Sequence, residues 1–389
     1  MKRQFVTLLG ARGAAGIAQA AVLVLVARWM QVADYGALMA WAGILLVACA
    51  IADVGIGNYV LVEQPKGHDT HVRRALKVNT ATSVGGGVLM AAVGWFVAPT
   101  GLEAAFAVLA IAAFLEKNTD TLTYLAIANK NQVVPAASIL IRRLGNLAVT
   151  PLLYFLGVDA ALAYATGYAL TCAIAQVHVR LTVARPYPPG EVEAPWTVLR
   201  SSLRFMVELA SGQARMLDTF IVATVAGPAA AGAYAAGVRL ANPFALIAGT
   251  LANVLTPHVS SADHETSRRL ARRLAVGTAG LAVASVPAAL IIAPLVAKVL
   301  GEGYEASEGV FAWALPAIVF VGMATAFAGF LQARGHATFV AIAAATNAVV
   351  LLSLVAVGAA LVGAAGAAAG LCTAAFLYCS VLAVRALRV

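Results

Sequence analysis

Residues 36–62 read GALMAWAGILLVACAIADVGIGNYVLV, with Asp53 as the one charged side chain in the run. A helix needs about 20 consecutive apolar residues to cross the ~30 Å hydrocarbon layer of a bilayer. This run exceeds that length, and it places a carboxylate where hydration is lost. It therefore reads as a membrane helix with a functional charge. The rest of the 389-residue chain has the same character: 62% of residues are hydrophobic and 11% are charged. Soluble domains are nearer half apolar and about a quarter charged. So few charges cannot cover a water-facing surface of this size, whereas lipid accepts apolar side chains on helices that satisfy their own backbone groups.

Reading outward from 36–62, further runs of spanning length fall at 6–28, 78–98, 102–128, 132–156 and 159–181, and then at 199–226, 229–257, 274–298, 307–333, 338–358 and 363–384. The longest gap, 182–198, contains Pro186, Pro188, Pro189 and Pro195. It divides the chain into an N-terminal six-helix bundle (1–181), a cytoplasmic Pro-rich linker (182–198) and a C-terminal six-helix bundle (199–389). With the N-terminus inside, seventeen Lys and Arg residues fall on cytoplasmic ends and loops, against Arg28 and Lys298 outside. This asymmetry orients the protein with both termini in the cytoplasm and accounts for the net charge of +9 without nucleic acid as a partner. Lys2, Arg3 and the Ala18-Gln19-Ala20 triplet imitate a signal peptide. Arg12 interrupts the apolar run, which continues to Ala27, so the first helix reads as retained.

The chain carries no GxxxxGK[ST], HExxH or GxSxG motif. Its gaps between runs are too short for a catalytic domain, which argues against an enzyme. Cys49, Cys172, Cys372 and Cys379 lie in apolar runs without CxxC or Cys/His spacing, and so read as small hydrophobes. No cofactor and no metal is called for.

Charges inside the spans are costly, and by default they face a cavity or a partner. Arg204, Glu208, Arg215 and Asp218 share one face of an ideal helix in 199–226. Arg12 shares a face with Gly16 and Gln19. In 102–128, Glu116 and Asp120 are four residues apart, with Lys117, Asn118 and several threonines around them. In 132–156, Arg142 is followed by Arg143. Such an arginine pair wants an anion, either Glu116 and Asp120 on the preceding helix or a phosphate ligand. Asp53 and Arg239 complete the set. Seven cations face five carboxylates within the spans, so a cavity lined by them favours an anionic cargo.

The segment 199–260 also carries a family resemblance. LDTFIV at 217–222, Gly227, AGAYAAGVRL at 231–240 and LTPHVS at 255–260 are similar to the "LD-x-F…G…AG-x-Y-x-x-A-x-R-L…P-x-x-S" pattern of the polysaccharide (O-antigen and exopolysaccharide) flippases of the MATE-like superfamily. Arg12-Gly13, Tyr35-Gly36, Asp53-Val54-Gly55, GEGYEA at 301–306 and GAAGAA at 363–368 extend the resemblance over most of the chain. It implies an all-α integral membrane protein of about twelve helices, with two six-helix bundles around a central cavity in a V-shaped alternating-access transporter. It implies an inner-membrane flippase for polysaccharide or lipopolysaccharide synthesis, whose cargo is an undecaprenyl-diphosphate-linked oligosaccharide. Membrane lipids and polysaccharide assembly proteins would be its partners. On this reading Arg12, Arg142, Arg143, Arg215 and Arg239 line the substrate cavity. Asp53, Glu116, Asp120, Glu208 and Asp218 position those arginines or carry a coupling ion. The lipid II flippases of the superfamily typically have two more helices. The alternatives are a multidrug/cation antiporter of the same superfamily, whose site should be acidic and aromatic, a membrane glycosyltransferase or polymerase, and a non-transporting scaffold.

Overall fold

The computed structural model describes residues 2–183, 196, 199–200, 202, 213–244 and 264–388, and among these every regular element is helical. The helices are α1 (Lys2–Trp29), α2 (Val32–Asp53), α3 (Ile56–Glu63), α4 (Asp69–Val97), α5 (Glu103–Ala128), α6 (Val133–Phe155) and α7 (Ala160–Val183). They continue with α8 (Asp218–Ala226), α9 (Pro228–Ala241), α10 (His264–Leu300), α11 (Ala306–Ala333) and α12 (Ala337–Arg388). Among the described residues eight stretches are long and apolar enough to cross a membrane, and the protein is a multi-pass membrane protein. With 26 residues α5 matches them in length, although its middle carries Glu116, Lys117 and Asp120. α12 contains two of the expected spans. The helical geometry breaks at Gly363 (φ 69°, ψ −143°), a conformation that glycine adopts at little cost. Gly358 and Gly366 then meet backbone to backbone across the bend, as do Gly370 and Leu354.

The run 36–62 is not one helix. It breaks after Asp53, where Val54 (φ 51°) and Gly55 (φ 73°) both adopt left-handed backbone. For a β-branched residue this conformation is strained, at a cost on the order of 1–3 kcal/mol. The break leaves buried Asp53 as the last residue of α2.

The chain forms two compact units, residues 1–30 with 41–216 and residues 31–40 with 217–389. In the first unit α5 packs against α4, α7 and α3, and α6 packs against α1 and α7. Trp41 is buried there: its Nε1 donates to the Phe106 carbonyl at 3.0 Å and its ring stacks on Phe106 at 5.5 Å. In the loop after α3, Lys66 (2.8 Å) and His68 (2.6 Å) both bond Glu63 and hold its carboxyl below the usual glutamate range. Glu63, His68 and His71 lie close enough together to suggest metal ligands. The Lys66 ammonium already neutralises that carboxylate, and the group reads as a hydrogen-bonded latch.

In the second unit α11 packs against α12, α10 and α9, and α8 packs against α12. The first turns of α2 join this unit through glycines. A methyl group on Gly36 would overlap the Pro228 carbonyl and the Gly232 amide, and one on Gly232 would overlap the Val32 carbonyl. Two small residues thus let α2 and α9 touch backbone to backbone. Gly277 on α10 has open space where its side chain would be. We therefore expect Gly232→Val to destabilise the protein by at least the ~1–3 kcal/mol typical of overpacking, because neither backbone can yield as a side chain would. Gly277→Val should be near neutral. Comparing recovery of monodisperse protein after detergent extraction checks this, and equal recovery of the two variants would contradict it.

Candidate functional site

The polar face of α5 is turned into the first unit. Asn118, Thr119 and Thr121 are buried on it. Its glutamate and aspartate, one turn apart, present their carboxylates together, and α6 supplies the cations. Arg142 Nη1 donates to Glu116 Oε1 and Nη2 donates to Asp120 Oδ1, both at 2.8 Å. Arg142 Nε donates to the Ser138 carbonyl at 3.3 Å. The Arg142 side chain is 4% exposed, and its planar fork is taken up by protein acceptors. Arg143 Nη2 donates to the same Glu116 Oε1 at 2.6 Å. Its side chain keeps 19% exposure, and the guanidinium lies 5.4 Å from the Tyr168 ring centroid, a cation–π arrangement.

A second pair lies close by in the same unit. Asp53 Oδ2 is 3.4 Å from the Lys117 ammonium, and Asp53 Oδ1 accepts from the Thr121 hydroxyl at 2.7 Å. The negative end of the α2 dipole falls at this point and favours Lys117 there. The three carboxylates of this group are therefore matched by three cations. Asp120 keeps a 42% exposed side chain; Glu116 (14%) and Asp53 (1%) are far more enclosed. Arg12 and Arg215 are both exposed, and neither makes an ion pair among the described residues.

In the second unit Asp218 begins α8. Its Oδ1 accepts from the Thr219 amide at 2.6 Å, and its Oδ2 accepts from the Tyr234 hydroxyl at 2.9 Å. Arg239, on α9 with Tyr234, is within electrostatic reach of Asp218. Its Nε is buried without a partner, an unusual state for a guanidinium donor. Arg204 and Glu208 lie outside the described residues. Arg215–Leu217 form a 3-10 turn before α8, so the register linking Arg215 to Asp218 is not that of one regular α-helix.

Of the two kinds of anion that suit the Arg142–Arg143 pair, the structure gives both arginines protein carboxylates. It also brings together residues that the sequence argument did not single out. Lys117 as the partner of Asp53, Tyr168 under Arg143, and Gln176, whose amide lies 2.7 Å from both Asn118 and Thr119, are contacts made between helices. Tyr234 was visible as part of the AGAY motif. Its bond to Asp218 was not.

The fold that holds these residues is shared with proteins of known structure. The chain shares its fold with an inward-facing multidrug resistance MATE family transporter of the MOP superfamily (TM-score 0.71, 13% identity, covering 96% of this chain and 93% of that one). It shares it also with the lipid II flippase MurJ in an inward closed conformation (0.73, 12%, 99% and 88%). A third similar structure is a MOP superfamily transporter from Pyrococcus furiosus whose binding pocket is described as having reverse polarity (0.62, 11%, 98% and 93%). No curated protein sequence matches the chain. The family model described as "Polysaccharide biosynthesis protein" matches residues 25–308. The chain belongs to that family.

Proposed function

We propose that this protein is an inner-membrane flippase that moves an undecaprenyl-diphosphate-linked oligosaccharide from the inner to the outer leaflet for cell-surface polysaccharide synthesis. The observation that carries this reading is the state of the charges. Asp53, Glu116 and Asp120 are each engaged by a cation, while Arg12 and Arg215 are exposed and make no ion pair among the described residues, and Arg143 retains donors beyond its bond to Glu116. The accessible field is positive, which suits a diphosphate and acidic sugars. Arg142 is then a positioning residue that holds the two carboxylates, and Arg143, Arg12, Arg215 and Arg239 meet the cargo. Asp120, with its exposed edge, and Asp218 are the carboxylates placed to carry a coupling proton or sodium ion. The bundles 1–181 and 199–389, joined by the 182–198 linker, would alternate access, with both termini in the cytoplasm.

A multidrug/cation antiporter is the second reading, and the MATE-type fold supports it. A cationic drug needs an accessible, uncommitted carboxylate, and each described carboxylate of the site already has a partner. Proteoliposomes loaded with a fluorescent lipid-linked oligosaccharide separate the two. The flippase reading expects protein-dependent movement of the labelled lipid between leaflets. Absence of exchange in vesicles that still expel a cationic dye would exclude it.

A further inference from the structure

We infer that a groove on the first unit, between α4, α5 and α7, is a binding site for one anionic phospholipid of the surrounding bilayer. The groove encloses about 670 Å³, and three basic side chains, Arg73, Lys77 and Arg180, stand among its lining residues. A narrower extension of about 220 Å³ shares Thr80, Val84 and Arg180 with it and continues between Val88, Ile111 and Phe114.

The three cations differ from those of the cluster between α5 and α6. Arg142, Arg143 and Lys117 are neutralised by carboxylates, whereas Arg73, Lys77 and Arg180 make no ion pair among the described residues. Arg180 is held in place by a neutral partner: with the Gln176 amide oriented to satisfy its neighbours, its oxygen accepts from Arg180 Nη2 at 3.0 Å. Three uncompensated cations, one of them held by Gln176, at one end of an apolar trough complement a phosphate group attached to an apolar chain.

The length of the trough selects the kind of lipid. Along α4 the distance from Lys77 to Val88 is about 16 Å at 1.5 Å per residue, close to half of the ~30 Å hydrocarbon layer. That is the depth of one leaflet, which suits an acyl chain whose headgroup stays at the membrane surface. Val84 and Val88 are 62% and 66% exposed, so the walls are open to such a chain. Phe114 lies against Gly86 and Gly87, where any larger residue would push its ring away. The inference is independent of the cargo, because the groove shares none of its lining residues with the arginines assigned to transport.

Native mass spectrometry of the purified full chain tests it, with equal amounts of phosphatidylglycerol and phosphatidylcholine carrying the same acyl chains. A basic residue at the membrane surface is worth about fivefold in affinity for an anionic lipid. The wild-type protein should retain phosphatidylglycerol preferentially. The double variant Arg73→Gln with Lys77→Gln should lower that preference roughly 30-fold by the same estimate. Val84→Trp should block retention by filling the trough with the charges intact, and Lys77→Arg should preserve it. Each variant is first shown to be monodisperse. Equal retention of the two lipids, or a preference unchanged in both the charge and the filling variants, would overturn the inference. So would competition by free glycerol phosphate, or displacement of the phospholipid by an equimolar isoprenyl phosphate.

Discussion

Arg142→Ala should remove the folded protein, and not merely its activity. The substitution leaves Glu116 and Asp120 one turn apart on α5, inside the first unit, where Arg142 had satisfied both at 2.8 Å. Deleting one partner of a fully buried ion pair costs about 3–5 kcal/mol; Asp120 keeps a 42% exposed side chain and Glu116 keeps Arg143, so the cost here falls at the lower end of that range. Here two carboxylates are left facing each other, and Arg143 reaches Glu116 alone. A loss of that size is a large part of the ~5–15 kcal/mol that holds a typical domain together. Thermal unfolding in detergent, followed by loss of the monodisperse peak, is the measurement. Adding Glu116→Gln and Asp120→Asn to an Arg142→Leu background should restore much of the stability, since a neutral network needs no cation. Arg142→Lys should recover little, as an ammonium cannot span two carboxylates as a planar fork does. A stable Arg142→Ala protein that had lost transport would move Arg142 from the scaffold to the cargo site.

Arg143→Ala should do the reverse, abolishing transport while the protein stays folded. Arg143 shares Glu116 with Arg142, so its removal leaves that carboxylate still bonded. Its greater exposure means that less desolvation has been invested in it. If its remaining donors meet the diphosphate, the loss is that of a desolvated, charge-assisted hydrogen bond. Such a loss is about 2–5 kcal/mol, or roughly 30-fold to several thousandfold in the rate or affinity read out. Arg143→Lys keeps the charge and the cation–π contact while losing the fork, and should fall between the two. The check is initial exchange rate per folded molecule, with melting temperature recorded for the same samples. An unfolded Arg143→Ala protein would assign the residue to the scaffold, beside Arg142.

These two arginines show how far the sequence could be read. Their presence in one apolar run, and the Glu116–Asp120 spacing on the previous one, were legible because helical periodicity puts residues four apart on one face. Which arginine is buried was not legible: adjacent residues on a helix point about 100° apart, and packing against α5 and α7 decides which one turns inward. The same limit hid the Asp53–Lys117 pair, whose partners lie on helices far apart in sequence.

Within the described residues the runs fall on helices, including the Ala/Gly-rich C-terminal pair, where Gly363 marks the bend, while much of 199–226 and 229–257 lies outside them. The run 36–62 was misread as continuous. Composition favoured a helix throughout, and Gly55 was the sole local sign of a break. That Val54 is held in a left-handed conformation follows from the surrounding structure and from no propensity of valine. Tyr35-Gly36 and AGAY at 231–234 were legible only as parts of a family pattern. Its physical content, two glycines that let α2 and α9 touch, needed the fold.

The central claim is that the accessible charge of the site selects an anion. It is tested most directly by equilibrium binding of a short-chain isoprenyl diphosphate sugar and of a quaternary ammonium dye to the same purified protein, for wild type and Arg143→Ala. The account predicts saturable binding of the diphosphate that weakens at least 30-fold in the variant by the estimate above, with no saturable binding of the dye. Saturable dye binding that competes with protonation of Asp120, together with diphosphate binding indifferent to Arg143, would contradict it.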